Sequence, residues 1–108
     1  MVFNLIIKPI VFIDVEESII FYNKKSEKLG ERFYQGFLQS IEDIQLFPQN
    51  YSYIIKPVRR HAIKKFPYNI YYIVLNETII IIGVAHAKRS NSYIKSKIET
   101  SLKSETPL

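Results

Sequence analysis

The chain has 108 residues, with 15 Lys and Arg against 10 Asp and Glu, a formal net charge of +5. Its 47% hydrophobic content is too high for a disordered chain, and its length suits one domain with a core of its own. Cysteine is absent, which excludes a disulfide framework, a Cys-based zinc site, an iron–sulfur cluster and thiol catalysis.

The first residues are apolar, but Asn4, Lys8, Pro9 and Asp14 interrupt them, and the basic start and small-residue cleavage site of a signal peptide are missing. The longest unbroken apolar stretch, Ile79 to Ala85, is far shorter than the ~20 residues of a spanning helix. A cytoplasmic protein without a membrane partner is expected.

From Val2 to Lys8, Phe3, Leu5 and Ile7 alternate with Asn4 and Lys8, the period of a half-buried strand. Pro9 suits a first helical position. Beyond it Val11, Val15, Ile19 and Tyr22 recur at helical spacing, with acids near the helix start and Lys24, Lys25 and Lys28 near its end. Gly30 is expected to break this helix and to join it to a second one, whose apolar line is Phe33, Phe37, Ile41 and Ile44 and which Pro48 stops. Strands follow: Tyr53 to Lys56, Val58 to Phe66, a tyrosine-rich Tyr68 to Leu75, then Thr78 to His86 across a two-residue turn at Asn76-Glu77.

This order predicts an α+β fold: an N-terminal strand, a helical hairpin, then a three- to four-stranded, mainly antiparallel twisted sheet packed on the hairpin. Residues 1–98 form a single domain in this reading, and 99–108 (ETSLKSETPL) a flexible C-terminal tail.

The charge is segregated. Residues 1–43 carry five basic and seven acidic residues, whereas residues 44–98 carry nine basic residues and only Glu77, a net of +8. A basic field of that size attracts phosphate backbones or an acidic partner protein, although a merely solvated basic surface has the same composition.

Along a strand beginning at Val58, Arg60, Ala62 and Lys64 share one face and Arg59, His61, Ile63 and Lys65 the other. Arg59, Arg60, Lys64, Lys65, Lys88, Arg89 and Lys95 are therefore the candidate target-binding cations. Two His without Cys and with few acids nearby supply no metal-ligand spacing, so neither metal nor cofactor is expected. A phosphate-cradling glycine loop is also absent from the chain's three glycines.

RNA cleavage through a 2′-hydroxyl would need proton-transfer groups and cations for the developing charge. His86 and Tyr93 are the proton-transfer candidates, with Arg60, Lys64 and Arg89 as cations, and no carboxylate base is evident. Each has a plainer reading. His86 can be a structural histidine ending a strand, His61 a solvated one, Tyr93 a cap on the core, and Tyr68, Tyr71 and Tyr72 sheet packing on one face and surface on the other.

The strings RRHAIKKFPYNIYYIV (59–74) and VAHAKRSNSY (84–93), with Asp14-Val15 and Leu29-Gly30-Glu31-Arg32-Phe33 upstream, resemble the RelE/ParE superfamily of bacterial type II toxins over roughly residues 2–97. In that pattern a basic strand leads through F-P-Y into an aromatic strand, and V-x-H-x-x-R-x-P-x-Y closes the domain. Asn91 stands where the family often has Pro.

The resemblance implies a small α+β toxin neutralised by a cognate antitoxin with a partly disordered, acidic segment. The superfamily holds ribosome-dependent messenger-RNA endonucleases and DNA gyrase inhibitors. F-P-Y-x-I-x-Y with H-x-x-R looks more like the ParE-type, plasmid-stabilisation group. Gyrase binding is thus the first expectation, with RelE-like messenger-RNA cleavage or a non-toxic antitoxin-binding module as alternatives.

Overall fold

The computed structural model describes residues 3–103. Their elements are β1 (Asn4–Ile7), α1 (Pro9–Lys25), α2 (Leu29–Leu46), β2 (Tyr53–Ile55), β3 (Val58–Ala62), β4 (Tyr68–Leu75), β5 (Thr78–His86) and α3 (Asn91–Lys103). The five strands form one sheet in the order β1-β5-β4-β3-β2. β1 runs parallel to β5 and every other pairing is antiparallel. The α+β expectation holds, and the N-terminal strand completes the sheet at the edge beside β5.

One face of the sheet receives the helical hairpin. Val11 and Val15 of α1 and Phe33, Phe37 and Ile44 of α2 bury against the sheet residues Ile70, Tyr72, Ile79 and Ile81. Full burial of each such side chain contributes about 1.5–3 kcal/mol. Tyr72 is fully buried, and its hydroxyl donates to the Pro48 carbonyl at 2.7 Å, fastening the end of the hairpin to the sheet. Burial pushes that phenol up to about 12.

The hairpin turns differently from the expectation. α1 ends at Lys25, and Lys28, in the left-handed region with φ 66°, reverses the chain. Gly30 lies inside the first turn of α2 and breaks nothing. Its requirement is spatial, because a Cβ there would sit 2.6 Å from both the Ile19 carbonyl oxygen and Asn23 Oδ1. The close approach lets Asn23 Oδ1 accept the Gly30 N–H at 2.9 Å, satisfying one of the open donors at the start of α2.

The opposite face is covered by α3, which the sequence reading omitted. Ser90 Oγ accepts the Tyr93 N–H at 3.1 Å, an N-cap geometry, and Ile94 and Ile98 recur at helical spacing. These two residues pack on Val58, Tyr71, Ile73, Ile82 and Ala85. Tyr71 is accordingly buried at 3% exposure, so β4 has no surface face of the kind expected. The boundary placed at 98/99 falls inside this helix, whose Ser101 is buried; residues 104–108 lie outside those described.

β3 stops at Ala62, four residues short of the expected strand end, and Lys64 and Lys65 stand in the turn that leads to β4. Lys65 takes φ 72° there. Strand parity therefore relates Arg60 to Ala62 but says nothing of Lys64.

Candidate functional site

The last residues of β5 carry the H-x-x-R motif out of the sheet. Tyr68 at the start of β4 pairs with His86, and the Ala87 N–H donates to the Pro67 carbonyl at 2.8 Å. F-P-Y and H-x-x-R are thereby brought side by side. A tight turn follows, in which the Arg89 N–H donates to the His86 carbonyl at 3.1 Å and the Lys88 N–H to His86 Nδ1 at 3.0 Å. Because Nδ1 accepts, a neutral His86 carries its proton on Nε2. The imidazole stands edge-on to Tyr68 at 5.2 Å.

Between this turn and α1 lies a cleft of about 530 Å³. Its cations are Lys88 and Arg89, and Arg89 places its guanidinium 4.5 Å from the centre of the Tyr93 ring. Phe21, Tyr22 and Tyr68 supply an aromatic wall, and Asp14 and Glu17 of α1 line it from the hairpin side. Burial holds Asp14 above the usual carboxylate range, against the opposing influence of the Lys97 ammonium and the Val84 N–H bonded to it.

His86, Arg89 and Tyr93 are therefore neighbours around one cleft. Arg60 is not with them: it lines a second cleft of about 580 Å³ together with Tyr51, His61, Asn69 and Ala87. Lys64 and Lys65 are exposed in the β3–β4 turn and line neither cleft, and Lys95 is exposed on α3. Arg59 is engaged internally. Its guanidinium donates to the Gln49 and Tyr51 carbonyls and to the Tyr53 hydroxyl and stacks over the Tyr53 ring at 4.0 Å, so it shapes the approach to β2.

The sequence reading missed Glu17. Its position on α1 reveals nothing about β5, and only the packing of the hairpin on the sheet brings a carboxylate to the His86 cleft. Among the described residues, no group of three or more His, Cys, Asp or Glu is placed to hold a metal ion, and no helix is long and apolar enough to cross a membrane.

His61 departs from its solvated expectation. Its side chain is only 11% exposed, edge-on to Tyr51 at 4.4 Å, with Nε2 3.7 Å from Asp43 Oδ2 and a buried Nδ1 that has no hydrogen-bond partner. Burial lowers its pKa below the ordinary 6.5, outweighing Asp43. The unfolded chain thus takes up this proton first, and stability falls as pH drops from about 6.5 toward the depressed folded value. The urea midpoint is expected to fall between pH 7.5 and 5.5, and to fall less in His61→Gln. Equal slopes in the two proteins would show that His61 does not carry this dependence.

No protein-family model matches the sequence, and no curated protein matches it. Solved structures do. A chain of the chromosomal ParDE toxin–antitoxin system from P. aeruginosa superposes with a TM-score of 0.71 at 13% identity, over 79% of this chain and 96% of that one. The chain has the RelE/ParE fold. E. coli toxin RelE, as a double arginine-to-alanine mutant in the free state, matches with a TM-score of 0.55 at 14% identity, over 93% of this chain and 97% of its own. At such identities the agreement lies in the backbone, and the chemistry of the RelE/ParE scaffold rests on the side chains each protein places on it.

Proposed function

We propose that the chain is the toxin of a type II toxin–antitoxin module, that it restrains growth in the cytoplasm by binding DNA gyrase, and that an acidic, partly disordered antitoxin neutralises it. The observation that carries the binding reading is the dispersal of the cations. Arg60 lines one cleft, the Lys88–Arg89 pair another, and Lys64 stands exposed in the β3–β4 turn. A reaction on one phosphodiester needs its acid, base and cations within reach of the same atoms, whereas a docking surface uses charge spread over a wide area. The fold shared with the ParDE chain and the F-P-Y-x-I-x-Y and H-x-x-R strings support the same reading.

A second reading has its own observation. Glu17, His86, Arg89 and Tyr93 surround one cleft, and a carboxylate, an imidazole and a cation are the groups that RNA cleavage through a 2′-hydroxyl requires. The experiment is a short pulse of expression, with mapping of new messenger-RNA 5′ ends and an assay of purified gyrase. Growth arrest with intact messages and inhibited supercoiling is the expected result. Codon-phased cleavage with normal supercoiling would replace gyrase binding by messenger-RNA cleavage, and unimpaired growth would leave a non-toxic antitoxin-binding module.

A further inference from the structure

Among the described residues β1 pairs with β5 only from Thr78 to Ile81, and no other strand lies beside the last five residues of β5 on that edge. β5 is also irregular there: Tyr72 faces Ile81 and Tyr71 faces Gly83, which leaves Ile82 as an extra, bulged residue. An open edge with free N–H groups needs a partner. Asp14 of α1 supplies it, since Oδ2 accepts the Val84 N–H at 3.0 Å. The other oxygen, Oδ1, takes the Lys97 ammonium at 2.6 Å.

Lys97 belongs to α3, on the far side of the sheet. Its aliphatic stem runs past Gly83, whose Cβ position lies 3.6–3.8 Å from three Lys97 carbons. The pair thus joins the helices of both faces around the open edge of β5. Its side chains are only 14% and 7% exposed.

A buried ion pair is a poor source of net stability, since desolvation offsets most of the attraction; setting register is its better-attested use. α3 needs such a device. Its buried apolar residues, Ile94 and Ile98, press it onto the sheet through apolar contact, an attraction that is non-directional. Arg89, Tyr93 and Lys97 follow one another at four-residue steps, with the guanidinium 4.5 Å and the ammonium 5.9 Å from the Tyr93 ring centre. Anchoring Lys97 therefore fixes the height of Tyr93, and Tyr93 that of Arg89, at the mouth of the cleft.

We propose that Asp14 and Lys97 are positioning residues for the Tyr93–Arg89 rim of the cleft, acting by clamping α3 to α1 around the open edge of β5. The clamp stands independently of the proposed toxin activity; its consequence for the target rests on that activity.

The test is made on the purified full chain by NMR. Arg89 side-chain protons over the Tyr93 ring carry an upfield ring-current shift, which reports the rim directly. Lys97→Met keeps the stem and deletes the charge, and Asp14→Asn keeps an acceptor for the Val84 N–H while releasing Lys97. Both variants are expected to collapse the Arg89 shift and to speed amide exchange in α3 by about fivefold or more, with β4 amides unchanged. Lys97→Arg is expected to restore both.

An Arg89 shift that survives in Lys97→Met and Asp14→Asn would overturn the proposal. So would loosening of β4 together with α3, which marks a general structural role, or a failure of Lys97→Arg to rescue. The gyrase assay is run alongside. A wild-type chain inactive against gyrase would sink the gyrase reading and leave the NMR result to decide the clamp.

Discussion

Arg89→Ala is expected to weaken growth inhibition and gyrase inhibition roughly 10- to 150-fold, the loss of about 1.5–3 kcal/mol that accompanies removal of a hydrogen bond to a charged group. The residue is exposed at the mouth of the cleft, with its guanidinium on the Tyr93 ring and no carboxylate partner among the described residues, so its charge is available to an incoming acidic surface. The same exposure means that its removal leaves no cavity. The thermal midpoint is expected to stay within about 4 °C of the parent, the reach of a surface substitution of half a kcal/mol in a domain of this size. Titration of inducer against growth rate and of purified chain against supercoiling measures the effect. Undiminished inhibition by a stable Arg89→Ala protein would remove this cleft from the target interface.

Phe33→Ala acts from the interior and is expected to cost about 3–5 kcal/mol. The ring is fully buried on α2 and touches the Tyr22, Phe66 and Tyr68 rings at centroid distances of 5.5, 5.3 and 5.0 Å. Its removal opens a cavity between three aromatic groups that cannot all close in on it. Two of them, Tyr22 and Tyr68, also line the His86 cleft, so damage to the core reaches the site. A domain of this size has about 5–15 kcal/mol to lose. Urea denaturation is expected to show a large fall in midpoint with an unchanged slope. An unfolding free energy within about 1 kcal/mol of the parent would mean that the aromatic cluster contributes far less than its burial implies.

Much of the fold was legible because it is local. The alternation of Leu5 and Ile7, the helical stripes of α1 and α2, the stop at Pro48 and the turn at Asn76-Glu77 each depend on a few neighbouring residues, and all appear where expected. α3 was lost because its signal is thin. Ile94 and Ile98 are its main anchors, its third buried position is Ser101, and so polar a stretch reads as irregular, its last five residues as the start of a tail, unless the Ser90 cap is noticed. Gly30 was misread because a glycine between two helical stripes suggests a break, whereas its role is set by an Ile19 carbonyl on the other helix.

The candidate site divides along the same line. Placing His86, Arg89 and Tyr93 together required only a strand end, a short turn and a helix start, spans that a sequence motif covers. Strand parity joined Arg60 to Lys64, and parity fails once β3 ends at Ala62. The environment of His61 and the Asp14–Lys97 pair, 83 residues apart in the chain, are invisible to any local pattern.

The sequence by itself therefore determined the types of the elements before α3, the segregation of +8 into residues 44–98 and the motif at the end of β5, because these follow from composition and from period-2 and period-3.6 patterning. The tertiary structure alone decided which faces meet. It buried β4 on both sides, set Arg60 in one cleft and Lys88 and Arg89 in another, and brought Glu17 to the His86 cleft and Asp14 to Lys97. The physical reason is that periodicity records which side of an element avoids water, and the identity of the surface that covers it depends on how distant elements pack.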